Sequence, residues 1–258
     1  MRIVVAIKQI LDPEGITVNR RRERIFINRE ERIINPADKC TLEAALRLKD
    51  AHGAEVIALS LGKPAADDAL REALAMGADS AVLISDKALA GMDAPTAAMV
   101  LARAIERLAP FDLVLAGQTA ADTGGDQTAG RLAELLGLPQ VLQALELSLD
   151  GGRLQVVRLW DGKPVRAAVS LPALVAVSPL APPARYPHGA RIMNAYRQMQ
   201  VSVWTAQDLG LTPEELTPNI ESRGQVFPPE RELGTVVEGP PAQMAGEILS
   251  LLRMRRLI

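Results

Sequence analysis

The sequence predicts an α/β fold: a doubly wound, mainly parallel sheet followed by a C-terminal arm. Three observations carry this. Short β-branched runs alternate with longer amphipathic stretches, as strand–helix–strand units with right-handed crossovers require. The first of these runs, Ile3 to Ile7, is unbroken and apolar, as a strand buried on both faces should be. From Pro213 onward, prolines recur and no core can be assembled.

Ile3 to Ile7 is the first strand. Residues 15–34 form a strand pair around the charged turn Arg20-Arg21-Arg22-Glu23. Asn35-Pro36-Ala37-Asp38 opens a helix that runs to about Asp50, with Leu42, Ala45, Leu46 and Lys49 at helical spacing. Val56 to Leu61 is a strand, Ala65 to Met76 a helix stopped by Gly77, and Ser80 to Ile84 a third strand. Ala94 to Leu108 is a helix, Asp112 to Ala116 a fourth strand, and a helix ending at Leu136 is closed by Gly137. Residues 139–177 read as hairpins turning at Asp150-Gly151-Gly152 and Asp161-Gly162. Pro179, Pro182, Pro183 and Pro187 mark an irregular surface loop. The division is expected at a nucleotide-binding domain over 1–205 and an arm over 206–258. That arm ends in a helix with Met244, Ile248, Leu251 and Leu252 on one face, a stripe that needs a surface to lie on.

Composition removes several function classes. Aromatics are only 3% of the chain, so the core is built from Ala, Val, Leu and Ile. A net charge of −2 gives no nucleic-acid footprint. Cys40 is the sole cysteine, which excludes an intrachain disulfide and fits a reducing compartment. His52 and His188 are not in metal-ligand spacing, and no metal site is expected. No run reaches the roughly 20 apolar residues of a membrane span. The opening Met1 to Ile7 is too short for a secretion signal and reads as a strand, so a soluble, cytoplasmic protein is expected.

One segment carries a site. Leu113 to Ala116 is a strand, Gly117-Gln118-Thr119-Ala120-Ala121-Asp122-Thr123-Gly124-Gly125 is a small-residue polar loop, and Asp126, Gln127 and Thr128 begin a helix. Open α/β sheets bind ligands beyond the carboxyl ends of their strands. Glycines let backbone approach a phosphate, and first-turn amides attract anions. Asp126 is expected as the N-cap. The loop has neither a Walker lysine nor a G-x-G-x-x-G pattern. On pattern alone it is either a nucleotide site or an ordinary turn whose Asp and Thr cap a helix. Ala6-Ile7-Lys8 ends the first strand, where Ala6 leaves room for a flat ring, and Asn35 to Asp38 starts a helix. Each is bland alone, since Asn and Asp before helices usually cap them, but both could meet the loop at one sheet edge.

Several pieces together resemble a known family. They are Val5-Ala6-Ile7-Lys8-Gln9-Ile10-Leu11-Asp12, Asn35 to Asp38 followed by Glu43 to Lys49, Ala73 to Asp79, the Gly117 to Thr128 loop, Leu171 to Val175, and Arg185-Tyr186 with Ile192-Met193. In this order and spacing, over residues 1 to about 212, the chain resembles the beta subunits of electron-transfer flavoproteins. The resemblance implies a Rossmann-like fold of the adenine-nucleotide-binding type. It implies a heterodimer with an alpha subunit that holds the electron-transferring FAD. It also implies an adenine nucleotide in this chain, AMP or a second FAD. The pocket carried over comprises Ala6, Asn35, Pro36, Ala37, Asp38, Leu61 and Gly117 to Thr128, with Gln127 and Thr128 in the phosphate-binding places and Asp122 opening the loop. Asp126 stands where Asn is frequent, and Thr123-Gly124-Gly125 replaces an acidic cluster.

The resemblance also places redox-partner docking at Arg185, Tyr186, Gly189, Ile192 and Met193. Gly189 stands where family members carry an anchoring leucine, so the expected partner is a dehydrogenase other than a standard acyl-CoA dehydrogenase. The implied function is an electron-carrying subunit, passing electrons from a dehydrogenase to an acceptor with no catalytic residue of its own. The alternative is a stand-alone nucleotide-binding or nucleotide-hydrolysing protein on the same fold. Lys8 to Asp12 offers no phosphate-cradling loop for hydrolysis, and residues 139–212 are superfluous to a simple nucleotide sensor.

Overall fold

The structure, a computed structural model, describes residues 1–258 except 221, 222, 225 and 230–233. It divides into two units, Met1–Ser222 and Arg223–Ile258.

The first unit is an α/β doubly wound domain. Its strands are β1 (Arg2–Ile7), β2 (Gln9–Leu11), β3 (Ile16–Asn19), β4 (Arg24–Ile27), β5 (Arg32–Ile34), β6 (Glu55–Leu61), β7 (Ser80–Ile84), β8 (Leu113–Gly117), β9 (Gln140–Asp150), β10 (Arg153–Trp160), β11 (Lys163–Ser170), β12 (Ala173–Val177) and β13 (Val201–Trp204). Its helices are α1 (Pro36–His52), α2 (Asp67–Met76), α3 (Ala94–Arg107), α4 (Thr128–Leu135) and α5 (Gly189–Arg197). Nine strands form one sheet in the order β11-β10-β9-β12-β8-β1-β6-β7-β13, parallel from β9 to β13 and antiparallel only at β10 and β11. Two small ribbons, β2–β5 and β3–β4, stand outside it.

Alternation along each strand assigns the layers. Ile3, Val5 and Ile7 of β1 pack with Leu42, Ala45 and Leu46 of α1 and Leu70, Ala73 and Leu74 of α2. Val4 of β1 and Val114 and Ala116 of β8 pack on the opposite face with Val100 and Ile105 of α3 and Ala129 and Leu132 of α4. Adjacent β1 and β8 therefore send their chains to opposite faces, α1 on one and α4 on the other. That divergence opens a crevice at the carboxyl ends of β1 and β8, where doubly wound sheets place their ligands.

Four segments differ from the sequence expectation. Residues 139–177 are not all hairpin: β12 is a fully buried parallel strand between β9 and β8. The proline-marked stretch is not irregular throughout, since Gly189–Arg197 is helix α5. An edge strand, β13, pairs in parallel with β7. Ala206 and Leu216 are buried in the core on the α3/α4 side, and Asp93 accepts from the amides of Asn219 and Ile220 at 2.7 and 2.9 Å, so residues 206–220 pack with the domain.

The second unit holds α6 (Pro241–Met254), which buries no residue; Ile248 and Leu249 are exposed and Met244, Leu251 and Leu252 half-buried. No helix among the described residues is long and apolar enough to cross a membrane.

Candidate functional site

At the crevice, side chains from α1 tie the ends of β1 and β8 together. Asn35 precedes the first turn of α1 but makes no side-chain cap. Its side chain instead reaches the loop after β8: Nδ2 donates to Thr119 O at 2.8 Å, and Oδ1 accepts from Ala121 N at 3.0 Å. Its own amide donates to Lys8 O at 2.9 Å, which ties the end of β1 to the same point. Asn35 is buried, so all three bonds are sheltered from water.

Asp38, one turn along α1, is also buried. Its Oδ2 accepts from the Lys8 amide at 2.7 Å. Burial pushes the carboxyl up to about 7, against the opposing pull of the Lys8 amide, the Asn35 side chain and the Gly117 amide. Gly117 is required here for space: a Cβ at this position would overlap Asp38 Oδ1 and crowd Ala37. Gln118 secures the other side. Its amide donates to Val177 O at 2.8 Å and its Oε1 accepts from Gln143 N at 2.9 Å, where Gln143 sits in a β9 bulge at φ 62°.

Beyond Ala121 the Thr123 and Gly124 amides turn back to Ala120 O at 3.2 and 2.7 Å, and among the described residues the one side-chain tie to another element is the ion pair of Lys8 Nζ with Asp122 at 2.7 Å. Residues 122–127 are exposed. Asp126 is not the N-cap of α4; it takes a left-handed φ of 49°, and Gln127 occupies the cap position without a side-chain capping bond. The Gln127 side chain accepts instead from Arg131 at 3.0 Å. The leading amides of α4 are thus left without a side-chain acceptor, in contrast to α3, where Asp93 accepts from Thr96 N at 2.9 Å. Ala6 and Leu61 lie half-buried at strand ends on the α3/α4 face, and Pro36 is exposed.

A family model described as "Electron transfer flavoprotein domain" matches residues 24–209. The chain is 36% identical to the electron transfer flavoprotein subunit beta of Thermoanaerobacterium thermosaccharolyticum, over 88% of this chain and 92% of that one. It is also 36% identical to caffeyl-CoA reductase-Etf complex subunit CarD of Acetobacterium woodii, and 30% identical to acryloyl-CoA reductase electron transfer subunit gamma of Anaerotignum propionicum, each over the full length of both chains. The chain belongs to the electron-transfer flavoprotein beta-subunit family.

Within this family member, the segment 185–193 divides into an anchor and a free surface. Arg185 does not stand free. Its Nε and Nη2 donate to buried Glu43 at 2.8 and 3.2 Å, its amide donates to Glu43 at 3.1 Å, and Nη2 reaches Asp50 at 2.8 Å. Burial pushes the Glu43 carboxyl up, but the Arg185 and Arg47 guanidiniums outweigh it and hold it below its usual value. Arg185 therefore fixes the segment to α1. Tyr186 is 93% exposed, and Ile192 and Met193 are exposed on α5, so these three are the apolar side chains offered to solvent. Gly189 is the first residue of α5, capped by His188. Tyr196 is held against α2, donating to Asp68 at 3.1 Å with the Arg71 guanidinium over its ring.

A separate cleft of about 180 Å³, lined by Cys40, Glu43, Arg47, Glu146 and Pro182 among others, shares no residue with the crevice cluster. It brings two carboxylates and no helix amide, so an anionic ligand fits it poorly. The structure adds Lys8, Gln143 and Glu43 to the residues that shape these sites. Lys8 had a signal, a cation directly after a buried strand. Gln143 had none, because its role depends on a bulge.

Proposed function

We propose that this chain holds an adenine nucleotide, AMP or a second FAD, within a heterodimeric electron-transfer flavoprotein whose alpha subunit carries the electron-transferring FAD. The observation that carries the reading is Asn35: a residue suited to cap its own helix is spent on bracing a loop more than eighty residues away. That loop has room for a ligand. A Cβ at Gly124 or Gly125 would meet no atom within 4 Å, and the first turn of α4 has no side-chain cap. On this reading Gly125 to Thr128 offer amides to phosphate, while the Gly124 amide is spent on Ala120 O, and Ala6, Leu61 and Asn35 to Asp38 border the rest of the nucleotide. A bound flavin supplies the electron chemistry. The chain's own residues position, shield and dock, and none acts as acid, base or nucleophile.

The test is to co-express the chain with its alpha subunit, denature the purified complex and identify every released nucleotide by mass. One adenine nucleotide in addition to the alpha subunit's FAD is expected, and its mass separates AMP from FAD. A complex with a single FAD and nothing else counts against the reading.

The redox partner is read as one other than a standard acyl-CoA dehydrogenase. Gly189 offers no anchoring side chain, and two of the similar chains carry names that tie them to a caffeyl-CoA reductase and an acryloyl-CoA reductase. The free apolar group Tyr186, Ile192 and Met193 is the docking surface on this reading. Efficient turnover with a common acyl-CoA dehydrogenase, unchanged by Ile192→Ala or Met193→Ala, would contradict it.

A further inference from the structure

Lys8 uses all three of its polar groups at the crevice. Its amide donates to Asp38 Oδ2 at 2.7 Å, and its carbonyl accepts from the Asn35 amide at 2.9 Å. Its Nζ stands 2.7 Å from each carboxylate oxygen of Asp122. The far end of this pair is fixed as well. Asp122 follows Ala121, whose amide donates to Asn35 Oδ1 at 3.0 Å, and directly after it the Thr123 and Gly124 amides turn back to Ala120 O. The amides offered to phosphate begin three residues on from Asp122, at Gly125.

Such a pair can act as a clasp or as a charge, and magnitudes separate the two. As a clasp it is weak: the two side chains are 41% and 34% exposed, and ion pairs open to water add little to stability. As a charge it counts for more. Asp122 and Asp126 are the two carboxylates between Gly117 and Thr128, and Arg131, the one cation of α4, is bonded to Gln127 at 3.0 Å. The segment that offers amides to a phosphate thus carries two negative charges of its own, and Lys8 cancels one of them. Without Lys8, a bare carboxylate would stand within a few residues of the phosphate, inside the distance over which salt screens charge.

We infer that Lys8 sets the charge of the phosphate site: by holding Asp122 in an ion pair it removes a carboxylate's repulsion from the nucleotide phosphate, and so acts on phosphate affinity through Asp122 without touching the ligand. This rests on the nucleotide reading above. Lys8 is then a positioning residue for phosphate-bearing ligands in particular. The adenine and ribose, bordered on that reading by Ala6, Leu61 and Asn35 to Asp38, gain nothing from it. The charge role also differs in sign from the clasp role. Removing Asp122 breaks a clasp, but it frees the Lys8 ammonium to attract the phosphate.

The experiment uses the heterodimer, freed of this chain's nucleotide by dialysis, as wild type, Lys8→Met, Asp122→Asn and the double variant. Calorimetry gives the affinity of each for AMP and for adenosine, which share the adenine and ribose of either candidate nucleotide and differ by the phosphate alone. Lys8→Met keeps the backbone amide and carbonyl of residue 8, so the bonds to Asp38 and Asn35 survive. It should weaken AMP about tenfold at low salt, with the loss fading as salt rises, and adenosine by less than about twofold. Asp122→Asn should bind AMP about threefold more tightly than wild type, and the double variant should return to within about threefold of it. Equal losses for AMP and adenosine, or an Asp122→Asn variant as weak for AMP as Lys8→Met, would make the pair a clasp and overturn the charge role. A double variant as weak as Lys8→Met would put the ammonium on the phosphate itself and overturn it too. Tight AMP binding by wild type with Lys8→Met unchanged overturns the role of Lys8 alone. A wild-type heterodimer that binds neither ligand, and releases no nucleotide beyond the alpha subunit's FAD on denaturation, overturns the nucleotide reading with it.

Discussion

The two banks of the crevice are built in opposite ways. On one bank, Asn35 and Asp38 are buried and bonded across to β1 and the loop, and an added Cβ at Gly117 would meet Asp38. On the other, residues 122–127 are exposed, held by one ion pair and by a turn that bonds the Thr123 and Gly124 amides to Ala120 O, and lead into a helix with no side-chain cap. A binding site needs both. A rigid bank fixes geometry without reorganisation on binding, and an open bank keeps donors free for the ligand. The contrast predicts that substitutions on the first bank damage the fold, while those on the second damage ligand retention alone.

The largest effect should come from Gly117→Ala. Its Cβ would collide with the carboxylate of Asp38, whose backbone and burial leave it nowhere to go. A stability loss of at least ~3 kcal/mol in urea denaturation is expected, with loss of nucleotide. A variant as stable as wild type would mean the first bank is softer than its packing indicates.

Asp38→Asn should alter how stability depends on pH. The folded carboxyl is raised to about 7 from an ordinary value of 3.8. The native state therefore holds the proton more tightly than the unfolded chain. Its contribution is fully present below about pH 4 and is lost as pH rises through 7. Asparagine keeps an acceptor for the Lys8 amide and cannot ionise. The stability of the variant relative to wild type should rise between pH 4 and 8 by on the order of 3 kcal/mol. Parallel pH profiles for the two proteins would show that Asp38 is not the buried acid described.

Asn35→Ala strips the partners from Thr119 O and Ala121 N. We expect a loss of about 2 kcal/mol, and faster amide exchange confined to residues 119–122. Loosening elsewhere in the sheet, with that loop unchanged, would contradict the bracing role.

Gly125→Val should change stability least, by under ~0.5 kcal/mol, since a Cβ there meets nothing within 4 Å. It should nonetheless release the nucleotide by blocking backbone approach. Full nucleotide content in this variant would place the phosphate away from the open bank and remove half of the contrast.

Legibility in the sequence followed local signal. β1, β6, β7 and β8 are dominated by apolar residues with few polar breaks, Ser60 in β6 among them, and all four occur within a residue of where they are expected because a strand buried on both faces leaves little to alternation. The segments misjudged were those whose structure comes from a neighbour. Helix α5 follows a cluster of prolines, is only nine residues long and buries only Ala195. It is held by Arg71 of α2, which donates to Ala195 O at 2.6 Å and stacks over Tyr196. Strand β13 is four residues long and exists as an edge because β7 offers it a ladder. Asp126 has a good capping side chain, but the loop's left-handed turn hands the cap position to Gln127.

Composition and periodicity by themselves determined the fold class, the central parallel strands and the loop after β8 as the segment to watch. These rest on short-range physics: burial pattern, helix stops, and glycine where backbone must turn. Only the tertiary structure decided that Asn35 forgoes its own helix to hold residues 119–121. It also decided that Asp38 is a buried acid rather than a cap, and that Arg185 is an anchor rather than a free charge. Each of those outcomes is a competition between a local partner and a distant one. The distant partner wins only when the fold has brought it within hydrogen-bonding reach and excluded the water that would otherwise take its place.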